Sequence, residues 1–230
     1  MRDHAETKGS LIEAAGELFA RNGYDGTPVQ AIIDNVGVSK GTFYHYFSSK
    51  EDILDAVVER MTREGFNQMA ASVQDASVSA LEKLNRFFAA CWRWKLADID
   101  VVIEVARVLY RDENIIIRHK MDKRTVALVS PPLASIIAQG VEEGVFEVAD
   151  PEETAVLILH LGNSVADMQV KSLLELGDKP GNMAVMERRI NLYMNVLERI
   201  LGAPKGSIKE VGKGFLEKIS GAVRKGQCST

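Results

Sequence analysis

Lys40, Gly41, Thr42, Tyr44, His45 and Lys50 fall together in the stretch GVSKGTFYHYFSSKEDIL, Gly37 to Leu54. From Asn35 to Lys50 there is no Asp or Glu, although the 230-residue chain carries a net charge of −4. Cations and hydroxyls without acids point to a polyanion. Each residue type has a use there. Gly41 has no side chain, so its backbone can come close to a phosphate or a base. Thr42 offers a methyl to thymine and a hydroxyl to an acceptor. Tyr44 and His45 can donate to phosphate oxygens. Lys50 stands near the start of the next helix, where an ammonium and free backbone N–H groups can hold one phosphate.

Placing these groups requires short helices and a tight turn. Leu11, Ala15, Leu18, Phe19 and Asn22 recur at helical spacing and predict a first amphipathic helix ending at Asn22-Gly23. Thr27-Pro28-Val29-Gln30 reads as the start of a second, with Thr27 as cap, Pro28 in the first position and Gln30 returning a bond. This helix spans about eight residues and stops at Gly37, which can turn left-handed. Ser39 caps a third helix through about Tyr46. Two short helices joined by such a turn form a helix-turn-helix, whose second helix can enter a major groove. Ile32, Ile33, Val36 and Val38 would bind them to the first helix, with Phe43 and Phe47 in the core. Ser49 opens a longer helix with Glu51 and Asp52 in its first turn and a buried stripe of Ile53, Leu54, Val57, Val58 and Met61.

The remainder is also all helical in pattern. Helices are expected over about 79–96, 99–111, 113–142, 151–176 and 183–201. Pro131-Pro132 predicts a kink or break in the third of these. Asp150-Pro151-Glu152-Glu153 supplies cap, proline and capping acid for the fourth. No apolar run approaches bilayer length, the N-terminus has no secretory pattern, and Cys91 and Cys228 form no framework, so a cytoplasmic protein is expected. No phosphate loop, HExxH, nucleophile elbow or spaced Cys/His set occurs, so neither an enzyme nor a cofactor or metal site is expected.

Gly23-Tyr24, Gly26-Thr27, Ile32, the run from Gly37 to Phe47, Ser49-Lys50-Glu51 and Leu54 resemble the DNA-binding domain of the TetR family of transcriptional regulators. The resemblance covers about residues 5–60. It implies an all-α protein: a three-helix helix-turn-helix domain (1–60), then a larger helical ligand-binding and dimerisation bundle (61–202), with a basic tail over 203–230. It implies Lys40, Gly41, Thr42 and Tyr44 nearest the bases, and Thr27, Tyr44, His45 and Lys50 at phosphates. Pro28 departs from the Ser or Thr common there and removes one phosphate donor.

Partners follow from the same resemblance: a double-stranded DNA operator, a small-molecule effector and a second copy of the chain. A two-fold dimer would read a near-palindromic operator with recognition helices roughly 34–36 Å apart. Phe88, Trp92, Tyr110 and Met121, together with Phe87, Trp94 and Met168, could line an apolar pocket or be plain core. Glu104 and Arg107, i, i+3 on an oily helix, could pair or reach into it. His160, Asn163 or Ser164, and Asp167 share a face that could be a pocket wall or a dimer seam. The helices over about 151–176 and 183–201 are the dimerisation candidates. The run Arg118 to Arg124 reads as a solvated helix face.

Residues 1–60 carry six Lys/Arg against ten Asp/Glu, which alone favours a different reading, a ligand-binding or adaptor protein that has lost DNA binding. The tail, with six Lys/Arg against two Glu, could add DNA affinity, touch an acidic surface or lie solvated as a marginal helix.

Overall fold

The computed structural model describes residues 4–70, 77–97, 103 and 106–209, with the side chains of 4, 5, 62, 64–70 and 91–97 left aside. Among these residues every regular element is helical. They are α1 (His4–Asn22), α2 (Val29–Val36), α3 (Lys40–Tyr46), α4 (Lys50–Ala70), α5 (Ala80–Ala97), a 3-10 turn (Asp112–Asn114), α6 (Ile115–Glu142), α7 (Pro151–Leu174) and α8 (Asn182–Leu201). Residues 106–109 are also helical. The rest of the helix expected over 99–111, and the marginal helix of the tail, lie outside the described residues.

The chain divides into two compact units. The first joins residues 1–64 to Arg107–Arg124; the second joins 65–106 to 125–230. A segment that linear order assigns to the bundle therefore folds with the helix-turn-helix.

In the first unit, Leu11, Ala15 and Phe19 of α1, Ile32 and Ile33 of α2, Phe43 of α3 and Phe47 form one core with Ile53, Leu54, Val57 and Val58 of α4. Ile117 of α6 completes it, and Leu109 and Met121 pack against it. Met61 departs from the expected stripe and is exposed. Gly37 ends α2 at φ +73, its N–H donating to Ile33 O. A side chain is disfavoured at such a backbone angle, which is why glycine makes the turn between the two short helices.

The start of α2 differs from the pattern expected of Thr27-Pro28-Val29-Gln30. The helix begins at Val29, and Pro28 stands at the cap position without a side-chain bond. Gln30 donates to Asp34 Oδ1 at 2.8 Å instead of returning to the cap. Thr27 is fully buried, and its hydroxyl faces Gly23 O at 2.8 Å and Leu18 O at 3.1 Å. A hydroxyl has one proton, and here it goes to carbonyls left open where α1 ends.

In the second unit, α5, the later part of α6, α7 and α8 share a core that includes Leu84, Phe88, Leu133, Ile137, Ile158 and Leu197. Pro131 and Pro132 lie inside α6 without ending it. Proline's fixed φ is itself helical, so the cost is the lost N–H bonds and local crowding. The buried Val129, Leu133, Ile136 and Ile137 hold the turns on either side. The helical run Asp112–Glu142 is long and apolar enough by composition to cross a membrane, contrary to the expectation that no run approaches that length. Those same four side chains spend their apolar surface in the core.

The start of the tail is anchored rather than solvated. Ile208 is buried in the second core, and its N–H donates to Glu198 Oε1 at 3.1 Å. Asn85 donates to Ser207 O at 3.0 Å and accepts from Lys209 N at 2.8 Å.

Candidate nucleic-acid interface

α3 is seven residues long and is held by its ends. Ser39 caps it, its Oγ accepting from the Thr42 N–H at 3.1 Å. The Ser39 and Thr42 hydroxyls are also 2.8 Å apart. Phe43 is fully buried and Phe47 nearly so. This places Lys40, Gly41, Tyr44 and His45 on the exposed side, with Thr42 half-buried beside them. Tyr44 is 48% exposed, a large aromatic whose ring meets Phe43 edge-on at 5.3 Å and otherwise faces solvent. The residues of α3 that the sequence pointed to thus share one accessible surface.

An ideal Cβ at Gly41 would meet nothing closer than Ser39 Oγ, at 3.8 Å. That is ordinary van der Waals contact, so the fold does not require a glycine there. Gly in a helix costs about 1 kcal/mol relative to Ala.

α4 starts beside α3. Ser49 Oγ accepts from the Asp52 N–H at 3.1 Å, and Asp52 Oδ2 accepts from the Ser48 N–H at 2.8 Å, a reciprocal cap. Lys50 opens α4. Its Nζ lies 4.3 Å from the centroid of the Tyr24 ring and 3.5 Å from Asp25 O. Lys40 Nζ lies 6.0 Å from the Tyr44 ring centroid. Lys8, on the exposed side of α1, brings its Nζ to 5.9 Å from the Phe47 ring centroid. Lys8 is not among the residues expected from sequence, because helical periodicity does not say which distant helix an exposed lysine will face. Among the described residues none of Lys8, Lys40 and Lys50 is ion-paired with a carboxylate.

Thr27 is not part of this surface. Full burial and the bonds to Gly23 and Leu18 remove its hydroxyl from any phosphate, so the phosphate contact expected of it is corrected to a structural role.

Three acids of α4 are met by cations of α6. Glu51, Asp55 and Glu59 recur every fourth residue and so share a face. Lys120 of α6 lies 3.1 Å from Glu51 and 2.5 Å from Asp55. Arg124, one turn later, pairs with Glu59, as does Arg63. The bond from Arg124, then that from Arg63, holds the Glu59 carboxyl below the usual range. The bond to Asp55 raises the Lys120 ammonium above its ordinary value. Arg118 lies over the Tyr110 ring at 4.8 Å and donates to Leu109 O at 2.7 Å. The run from Arg118 to Arg124 is therefore largely engaged, not the solvated face expected from sequence.

The ligand candidates are divided between the two units. Phe88 is buried in the second core, with Phe87 edge-on at 5.4 Å. The Trp92 side chain and Glu104 lie outside the described residues. Arg107, Tyr110 and Met121 belong to the first unit, where Met121 packs on the helix-turn-helix core. Periodicity identified their faces but not the unit they join. On α7, His160 and Ser164 are exposed, on the face that carries Leu157 and Met168, 62% and 42% exposed. Asn163 is half-buried, and Asp167 pairs with Lys171 at 2.7 Å on the neighbouring stripe.

Comparison with known proteins places both parts of the chain. Residues 11–57 match the model for bacterial regulatory proteins of the tetR family, and residues 99–174 match that for a tetracyclin repressor-like C-terminal domain. The chain is 28% identical over 134 residues to a fatty acid metabolism regulator protein of Bacillus subtilis, covering 58% of this chain and 68% of that one. It is 34% identical over 80 residues to the HTH-type transcriptional repressor DhaR of a Mycobacterium species, covering 35% and 40%. The crystal structure of the transcriptional regulator FadR from B. subtilis in complex with stearoyl-CoA superposes with a TM-score of 0.55 at 23% identity, covering 80% of this chain and 96% of that one. With a helix-turn-helix whose second helix bares its polar side, and family matches over residues 11–57 and 99–174, the chain belongs to the TetR family of DNA-binding transcriptional regulators.

Proposed function

We propose that this protein is a cytoplasmic repressor that binds a near-palindromic operator as a homodimer and leaves it when a small molecule binds the second unit. The observation that carries the DNA reading is the exposed, acid-free side of α3, with Lys40, Gly41, Tyr44 and His45 accessible while Phe43 and Phe47 are spent on the core. In this reading Lys40, Gly41, Thr42 and Tyr44 approach base edges, and Tyr44, His45 and Lys50 hold phosphates. Lys8 extends the grip along the backbone.

Dimerisation is supported by bare apolar side chains on α7 and α8: Leu157 and Leu192 are both 62% exposed. His160 and Ser164 stand beside Leu157, which favours a dimer seam over a pocket wall for that face. The effector would enter among apolar side chains such as Phe88 and Leu133. A long-chain acyl-CoA is the first probe to try, because one fold neighbour holds stearoyl-CoA. It can release DNA only through a difference in affinity between the two forms of the dimer.

The adaptor reading rested on the net acidic N-terminal segment. Pairing of Glu51, Asp55 and Glu59 with Lys120 and Arg124 weakens it. The test is a gel-shift titration on DNA flanking the protein's own gene across a salt series. Lys50→Ala should weaken binding to every sequence and flatten the salt slope by about one unit per subunit, about two for the dimer. Substitution of Thr42 should change which sequence is preferred. Wild-type behaviour from both variants, or no retardation of the native protein at low salt, would overturn the assignment.

A further inference from the structure

We propose that Lys120, with Arg124 beside it, is a charge-compensating residue for DNA binding: it cancels the acidic stripe of α4 next to the phosphate-gripping Lys50. The inference rests on the DNA reading above and adds a requirement to it.

Glu51 directly follows Lys50, and Asp55 and Glu59 continue the stripe one and two turns along. Uncompensated, three carboxylates would lie along the helix whose first residue is to meet a phosphate. At about 8 Å in water one such charge weakens phosphate binding by roughly twofold, and several add. The Lys120 ammonium sits between the first two, at 3.1 Å from Glu51 and 2.5 Å from Asp55. Its side chain is only 23% exposed, against 68% for Glu51 and 60% for Asp55. The cation is held by its packed stem, while the acids stand at the surface where a polyanion would feel them.

Tyr24 marks how near this group is to Lys50. The Lys50 ammonium lies 4.3 Å from the Tyr24 ring centroid. Burial and then the Glu51 charge raise the Tyr24 phenol, while Lys120 opposes them. Lys50, Glu51 and Lys120 thus act on one ring. The remaining first-turn acid, Asp52, already accepts from Ser48. The contrast with the α3 side is the second support: Lys8, Lys40 and Lys50 have no carboxylate partner among the described residues, whereas Lys120, Arg124 and Arg63 all do. Glu51, Asp55 and Glu59 meet one set of cations, and the other set is left open for DNA.

The experiment uses the full-length protein and measures operator affinity at several salt concentrations. Lys120→Met keeps most of the packed stem and removes the charge. It should weaken binding by about threefold to tenfold at low salt, with the loss shrinking as salt screens the exposed acids. Lys120→Arg should bind like wild type. The triple variant Glu51→Gln/Asp55→Asn/Lys120→Met should regain at least wild-type affinity, since the two acids that Lys120 faces are gone and Glu59 keeps Arg124. A triple variant as weak as Lys120→Met would mean that Lys120 touches DNA or acts through packing, and would overturn the proposal. So would a Lys120→Met loss that does not change with salt, or no loss at all. Lys50→Ala, run in parallel, separates the two ideas: if it too leaves affinity unchanged, the DNA surface itself is misassigned.

Discussion

Gly41→Ala should make the protein more stable and a worse DNA binder. The two effects have separate origins. Gly41 is the second residue of the seven-residue α3. Replacing glycine by alanine inside a helix gains about 1 kcal/mol, and a first-turn position should return about half of that. No steric term opposes it, because the nearest atom to the new Cβ is Ser39 Oγ at 3.8 Å. For a chain of 230 residues the gain amounts to a rise in Tm of about 1–2 °C. The DNA term has the other sign. If the α3 backbone at Gly41 rests against a base or phosphate, an added methyl overpacks that contact at about 1–3 kcal/mol. A dimer carries the change twice, so operator affinity should fall at least about tenfold. Thermal denaturation measures the first effect, and fluorescence anisotropy with operator and non-specific duplex measures the second. Operator binding within twofold of wild type would refute close approach at Gly41. A fall in Tm would refute the claim that the fold has room for the methyl.

Other substitutions probe further elements of the fold and of the proposed dimer. Thr27→Val should cost about 1–2 kcal/mol of stability by stranding the Gly23 carbonyl, with DNA affinity of the folded protein unchanged; weaker binding to every sequence at normal stability would return Thr27 to the phosphates. Gly140→Ala would bring a Cβ to within 2.0 Å of the Phe146 ring, which is itself buried. Denaturant unfolding should show it destabilised by about 1–3 kcal/mol, and an ordinary Gly→Ala stabilisation would refute that packing. Leu157→Glu with Leu192→Glu should leave helical circular dichroism intact, since both positions are bare in the single chain. Sedimentation should then show monomers and the gel shift at least a tenfold weaker complex; a stable dimer would place the seam elsewhere.

The first helices were legible because their signals act over three or four residues. Ser39 and Ser49 cap, Gly37 turns left-handed, Asp150 caps and Pro151 follows, each within one turn of its partner. Phe43 and Phe47 could be set apart from Lys40, Tyr44 and His45 by helical spacing alone. Thr27 shows the limit of such reading. Its sequence neighbours offered it a cap, yet the end of α1 offered carbonyls in a closed space, and burial decided in favour of the carbonyls.

By itself the sequence determined the helix-turn-helix, its exposed polar side and its family, because periodicity, capping and turn chemistry are local properties of the chain. Tertiary structure alone decided that residues 107–124 join that domain, that Lys120 and Arg124 answer the acids of α4, and that Ile208 is core. Those choices pair groups far apart in the chain: the Lys120 to Asp55 contact spans 65 residues and the Asn85 to Lys209 bond 124. A stripe of acids or bases repeats every four residues whether it faces water or another helix. Only the packed chain, by bringing the stripe of α4 against that of α6, decides which charges are cancelled and which remain for DNA.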